Sequence, residues 1–230
     1  MAQLYPVGSL ASGLFSGQIC VIGHMDWPEA RELAGQVLLS DAENQRAAAF
    51  RVKAARATFI LGRAILRKGL ALATDSQPAE IDVIIEAMGR PVAPDSGWHF
   101  SITHSGPWVA VAFSRAWIGC DLETGSSLRS TDLAGLARQV FSPLEIDGLA
   151  ALSDRPQEQR AFFLAVWRRK EAVLKAAGLG LSGNPRGISV TTPAGLADAV
   201  AVAGQSYDMS DLSGDGLPTV SLATLRVSAV

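Results

Sequence analysis

The chain has little of what marks several large protein classes. It holds two cysteines, Cys20 and Cys120, and three histidines in 230 residues, with none of the Cys/His spacing of a zinc site. Neither a disulfide framework nor a structural zinc is therefore expected, and both cysteines read as small buried residues of a reduced protein. Positive charge is not in excess, since the net charge is −2, which argues against a general DNA or RNA binder. No uncharged apolar run reaches the roughly 18 residues that a membrane-spanning helix needs. The start of the chain lacks the basic residues, apolar stretch and small-residue cleavage site of a secretory signal. A soluble cytoplasmic protein without membrane or nucleic-acid partners is expected.

What is present is an ordinary globular chain, 48% hydrophobic and 18% charged, which can build a packed core. Residues 17–23 read as a strand, and 28–39 and 42–73 carry helical spacing. The second helical stretch places Arg46, Arg51, Lys53, Arg56, Arg63, Arg67 and Lys68 among alanines and leucines, and so offers cations on its exposed face. Residues 81–86 read as a strand, with turn chemistry at Gly89-Arg90-Pro91, Pro94 and Gly97. Three short runs, 98–103, 108–114 and 117–123, suggest an antiparallel meander.

Residues 130–140 and 143–152 read as helices, the second opened by Ser142, Pro143 and Glu145 as a capping box. Residues 157–177 form the strongest helical signal, stopped by Gly178. Strands are expected at 188–192 and 220–227, with 205–218 a loop holding a weak strand. Helices and strands are shared similarly between the halves, which suggests an α+β fold in two pseudo-duplicated halves, 1–114 and 115–230. No clear internal sequence repeat accompanies that division.

The residues able to do chemistry gather in two short stretches. In Gly119-Cys120-Asp121-Leu122-Glu123 a strand would turn Asp121 and Glu123 to one side and Ile118, Cys120 and Leu122 to the other. Gly119 would leave room there for a ligand. For an isolated Asp-x-Glu, a strand end with two solvated acids is the better explanation. Apolar neighbours make this one partly buried, where two like charges repel unless a cation joins them. In Trp167-Arg-Arg-Lys-Glu171-Ala-Val-Leu-Lys175 a helix would put Glu171 and Lys175 on one face, either as a surface ion pair or as partners of the strand acids. Three carboxylates and a lysine together suit Mg²⁺ held against a phosphate. His104, set between Thr103 and Ser105 before a Gly-Pro turn, is either a hydrogen-bonded structural residue or part of an anion site. Arg90 is either a phosphate contact or solvated.

These pieces, in this order, resemble the 4′-phosphopantetheinyl transferase superfamily. The resemblance rests on Gly89-Arg90-Pro91, Phe100-Ser-Ile-Thr-His104-Ser, Ile118-Gly-Cys-Asp121-Leu-Glu123, Phe141-Ser-Pro-Leu-Glu145 and Trp167-Arg-Arg-Lys170-Glu171-Ala-Val-Leu-Lys175. Length points to the large, surfactin-synthetase-activating type. One departure is Ser101-Ile-Thr103-His104-Ser105, where the family has Asn-x-Ser-His-Ser. The resemblance implies a monomer of two similar α+β halves, each a small antiparallel sheet packed with helices, with coenzyme A bound in the cleft between them.

It also implies Mg²⁺ on Asp121, Glu123 and Glu171, phosphate contacts from His104 and Lys175 beside Thr103, and Arg90 near the adenosine phosphate. The N-terminal half would thus face the adenosine phosphates, with Lys53 or Arg56 on the 3′-phosphate, and the C-terminal half would carry the metal ligands. The implied reaction transfers phosphopantetheine from coenzyme A to a serine of an apo acyl or peptidyl carrier protein and releases 3′,5′-ADP. Glu171 would act as or position the base, helped by Glu145. A Mg²⁺-dependent phosphatase or nuclease and a non-catalytic carrier-protein-binding module are the alternative readings.

Overall fold

Two helices of 22 residues organise the chain, each laid against a four-stranded sheet of its own. A computed structural model describes residues 2–11, 14–15, 17–125 and 132–227. Ser130 and Thr131, read from sequence as the start of a helix, lie outside them. The chain divides into two compact units, Met1–Arg115 and Ala116–Val230.

The first unit contains β1 (Gln3–Pro6), β2 (Ile19–His24), α1 (Pro28–Gly35), α2 (Asp41–Ala48) and α3 (Lys53–Thr74). A two-stranded ribbon of β3 (Ile84–Ile85) and β4 (Pro91–Val92) follows, and then β5 (His99–Ser105) and β6 (Trp108–Ser114). The sheet order is β1-β2-β6-β5, with β1–β2 parallel and the other pairs antiparallel. Leu61, Ile65 and Leu70 of α3 are wholly buried with Val109, Val111 and Phe113 of β6 in the core of this unit.

The continuous helical spacing expected over 42–73 is broken into α2 and α3. Ser40 caps α2 and Glu43 returns the bond in a capping box, which fixes an early start. Val52, a β-branched residue in extended geometry, separates the two helices. Of the seven cations on this stretch, Arg46, Arg51, Lys53 and Arg56 are exposed as expected. Arg67 is not. It is 2% exposed and spends its guanidinium on Glu43 and the carbonyls of Pro78 and Ile81.

The second unit contains β7 (Ile118–Leu122), α4 (Leu133–Val140), α5 (Pro143–Ala150) and α6 (Pro156–Ala177). Three further strands follow the ribbon of β8 (Thr191–Thr192) and β9 (Gly195–Leu196): β10 (Ala199–Val202), β11 (Gln205–Gly214) and β12 (Leu217–Leu225). The sheet order is β10-β11-β12-β7, antiparallel throughout.

The expected meander is thereby corrected. β6 already pairs with β2 on one side and β5 on the other, so it offers β7 no free edge. β7 pairs with β12 instead. The stretch read as a loop at 205–218 is mostly the long strand β11, in which Tyr207 and Met209 are buried while Asp208 is exposed. Its glycines and aspartates mask a period-2 pattern that only the neighbouring strands select. Gly178 ends α6 as expected, at φ 69°. The chain is α+β, and both units lay one long helix on four strands.

Candidate active site

In β7 every residue from Ile118 to Leu122 is buried, and the strand is covered by α6. The cover is close enough to require glycine. A Cβ on Gly119 would stand 1.9 Å from the Ala172 carbonyl oxygen and 2.5 Å from the Ala176 nitrogen. The space expected for a ligand at Gly119 is therefore taken by the helix backbone. Close approach has a functional result, because it brings the α6 side chains to the acidic strand end. Lys175 Nζ lies 2.7 Å from Asp121 Oδ1 and 3.1 Å from the Cys120 carbonyl oxygen. Burial works against the Lys175 ammonium. Asp121, by charge and hydrogen bond, with Cys120 and Glu171, outweighs it and holds the pKa above its usual value.

Glu171 stands one turn before Lys175 and is half-buried. Its Oε1 is buried with no hydrogen-bond partner among the described residues. Burial pushes the Glu171 carboxyl up. Lys175 opposes the rise, and the charges of Asp121 and Glu123 add to it. The three acids expected as metal ligands thus act on one another electrostatically, with Asp121 4% exposed and Glu123 half-buried just beyond the strand. Among the described residues no three His, Cys, Asp or Glu side chains are already gathered as a metal cluster. Asp121 Oδ1 is turned to Lys175. The donor set still fits a hard cation, since it consists of carboxylate oxygens and Glu171 Oε1 is a buried acceptor without a donor.

Glu145 lies apart from this chemistry in its bonding. It is wholly buried; its Oε2 accepts from Ser142 N–H at 2.8 Å and pairs with Lys170 Nζ at 2.7 Å, and its Oε1 accepts from Val190 N–H at 2.7 Å. Lys170 also donates to the carbonyls of Pro185 and Ile188. Both carboxylate oxygens are committed, which supports the capping role read from sequence rather than a base. Trp167 packs half-buried on the core of its unit, so no ligand is needed to cover it.

In the first unit His104 is exposed near the end of β5, before a turn with Gly106 at φ 57°. Thr103 and Ser105 are buried, so the alternation of the strand sends Thr103 and His104 to opposite faces. Arg90 forms an ion pair with Glu86 at 2.8 Å. Burial and, next, the charge of Arg90 hold the pKa of His99 below its usual value. Lys53 and Arg56 are exposed in the first turn of α3.

One charged neighbour of the acids escaped the sequence reading. Arg168, three residues before Glu171 and seven before Lys175, feels the charges of Asp211, Asp121 and Glu123. Its spacing along α6 was the available signal. Asp211, on β11, could not be found that way, because it reaches Arg169 at 2.9 Å and accepts from Ser221 at 2.6 Å only through the sheet.

A sequence model described as the 4′-phosphopantetheinyl transferase superfamily matches residues 118–221. The 4′-phosphopantetheinyl transferase HetI of Nostoc sp. is 37% identical over 165 residues, 69% of this chain and 67% of that protein. The 4′-phosphopantetheinyl transferase ffp of Bacillus subtilis is 31% identical over 162 residues, 69% of this chain and 70% of that protein. Another Bacillus subtilis 4′-phosphopantetheinyl transferase is 33% identical over 124 residues, and there the match spans about half of each chain, 54% and 53%.

Proposed function

Starting from the fact that the chain belongs to the 4′-phosphopantetheinyl transferase superfamily, we propose that it transfers the 4′-phosphopantetheine group of coenzyme A to a serine of an apo carrier protein. The observation that carries this reading is the set on β7 and α6. A buried acceptor on Glu171 without a donor lies one turn from a lysine held on Asp121. Such a set suits a cation and a phosphate together rather than a plain surface ion pair.

In this reading Asp121, Glu123 and Glu171 hold Mg²⁺, which when bound supplies positive charge to the diphosphate oxygens. Lys175 can release Asp121 Oδ1 to that cation and turn its ammonium to a phosphate oxygen. The exposed His104 supplies a further donor to phosphate, with Arg90 near the adenosine phosphate and Lys53 or Arg56 at the 3′-phosphate. The serine oxygen forms a bond to the β-phosphorus of coenzyme A as the bond to the bridging oxygen breaks, and 3′,5′-ADP leaves with that electron pair. The serine proton passes to Glu171, through the carboxylate oxygen that is not on the cation or through one water.

Intact mass spectrometry of an apo carrier panel incubated with coenzyme A and Mg²⁺ tests the reading. A mass gain of one phosphopantetheine group on at least one carrier supports it. No gain on any carrier, with hydrolysis of simple phosphate esters by the same preparation, would replace transfer with a phosphatase.

A further inference from the structure

The turn of α6 that carries Glu171 also carries a cation to which the transfer chemistry assigns nothing. Arg168, Glu171 and Lys175 are spaced by three and four residues and so share one helical face. That face is turned to β7, since Lys175 reaches Cys120 and Asp121 from it. Arg168 is half-buried, and its Nε is buried with no hydrogen-bond partner among the described residues. Its neighbour Arg169 is spent differently, with bonds to Asp211 Oδ2 at 3.0 Å and to the Ala197 carbonyl at 2.6 Å.

Burial pushes the pKa of the Arg168 guanidinium down. Asp211 and Asp121 oppose that, Arg169 adds to it, and Glu123 opposes it. A guanidinium stays charged in a protein even so. A permanent positive charge thus stands within electrostatic reach of two of the three carboxylates read as cation ligands, and none of them takes up its Nε.

We propose that Arg168 is a positioning residue that makes cation binding at Asp121, Glu123 and Glu171 conditional on the arrival of a diphosphate-bearing co-substrate. The inference rests on the metal reading given under the proposed function. In the protein alone Arg168 offsets the acidic charge and opposes a second cation. A diphosphate offers the guanidinium paired oxygens that match its planar fork. Its charge is then taken up by phosphate, and the carboxylates are left to the cation. Because the coupling is a difference in binding free energy, cation and diphosphate must strengthen one another equally.

Calorimetric titration of Mg²⁺ into the full chain, with and without coenzyme A, reads this without relying on turnover. Wild type is compared with Arg168→Gln, with Arg168→Met as a second neutral variant should the first fail to fold, and with Arg168→Lys. Without coenzyme A the neutral variant is expected to bind Mg²⁺ about tenfold more tightly, the order of effect of one charge several ångströms from a divalent ion in a partly screened site. The mutual strengthening of Mg²⁺ and coenzyme A should fall by a similar factor, while Arg168→Lys should follow wild type.

Unchanged or weaker Mg²⁺ binding in a folded neutral variant overturns the proposal and leaves the metal reading standing. Arg168→Lys behaving as the neutral variant also overturns it, since charge is then not the cause. If wild type takes up no cation even with coenzyme A, the metal reading fails and this proposal with it.

Discussion

Glu171 illustrates how a single side chain can be costly to the fold and useful to chemistry. Its carboxyl is pushed up by burial and by Asp121 and Glu123 against the pull of Lys175, so ionising it in the native protein is unfavourable relative to the unfolded chain. The stability associated with that raised pKa is fully present below the ordinary glutamate range, about 4.3, and is lost as pH rises through the folded value. Near neutral pH without metal, Glu171→Gln should therefore melt higher than wild type. About 2–4 °C corresponds to each 1 kcal/mol relieved in a protein of this size. The gap should close as the pH is lowered below about 4, and added Mg²⁺ should reverse it by stabilising wild type more. Scanning calorimetry across pH checks all three, and a variant that melts with or below wild type at neutral pH would remove the burial argument.

Catalysis adds a second expectation at this residue. Single-turnover rate against Mg²⁺ concentration should show Glu171→Gln nearly inactive even at saturating metal, because charge and basicity are both gone, while Asp121→Asn recovers more of its rate as metal rises. Full recovery of Glu171→Gln would restrict that side chain to metal binding.

At the scale of elements, the site depends on how closely α6 lies on β7. Gly119→Ala would drive a methyl group into the Ala172 carbonyl at 1.9 Å, and a helix backbone cannot step aside as a side chain can. The expected cost is about 1–3 kcal/mol or more of stability, read by urea unfolding. Activity should be lost beyond that, because moving the helix moves Glu171 and Lys175 from Asp121. Normal stability with normal transfer would show that the contact is not needed.

A second element-level support is the pair Glu145–Lys170, which ties α5, α6 and the chain at 185–190 in the buried interior. Lys170→Met should cost about 3–5 kcal/mol because it leaves a buried carboxylate without its cation. Adding Glu145→Gln should recover part of that loss, since the amide removes the uncompensated charge. No recovery in the double variant would place the cost in the lost lysine bonds to Pro185 and Ile188 instead.

For the whole molecule, the exposed cations of the first turn of α3 are expected to read the 3′-phosphate of coenzyme A. Alanine at the correct one of Lys53 and Arg56 should weaken coenzyme A by about 10- to 100-fold, the scale of a hydrogen bond to a charged group. Dephospho-coenzyme A should be much less affected, and equal loss of both ligands in calorimetry would assign that phosphate elsewhere.

By itself the sequence determined what depends on near neighbours along the chain. It set the long helix ended by Gly178, the capping box at Ser142, the α+β class, and the strand carrying Asp121 within a family signature spread over ordered motifs. These follow from local periodicity and turn chemistry, which a sequence carries in full. The tertiary structure alone decided the partners. β7 left the expected meander because β6 had no free edge, β11 emerged from an apparent loop because β10 and β12 flank it, and Arg67 and Glu145 were drawn into the interior by distant polar groups. The space at Gly119 went to a helix 53 residues away from it in sequence at Ala172. Such outcomes depend on which edges and faces remain unsatisfied once the other elements have packed, and no local pattern records that.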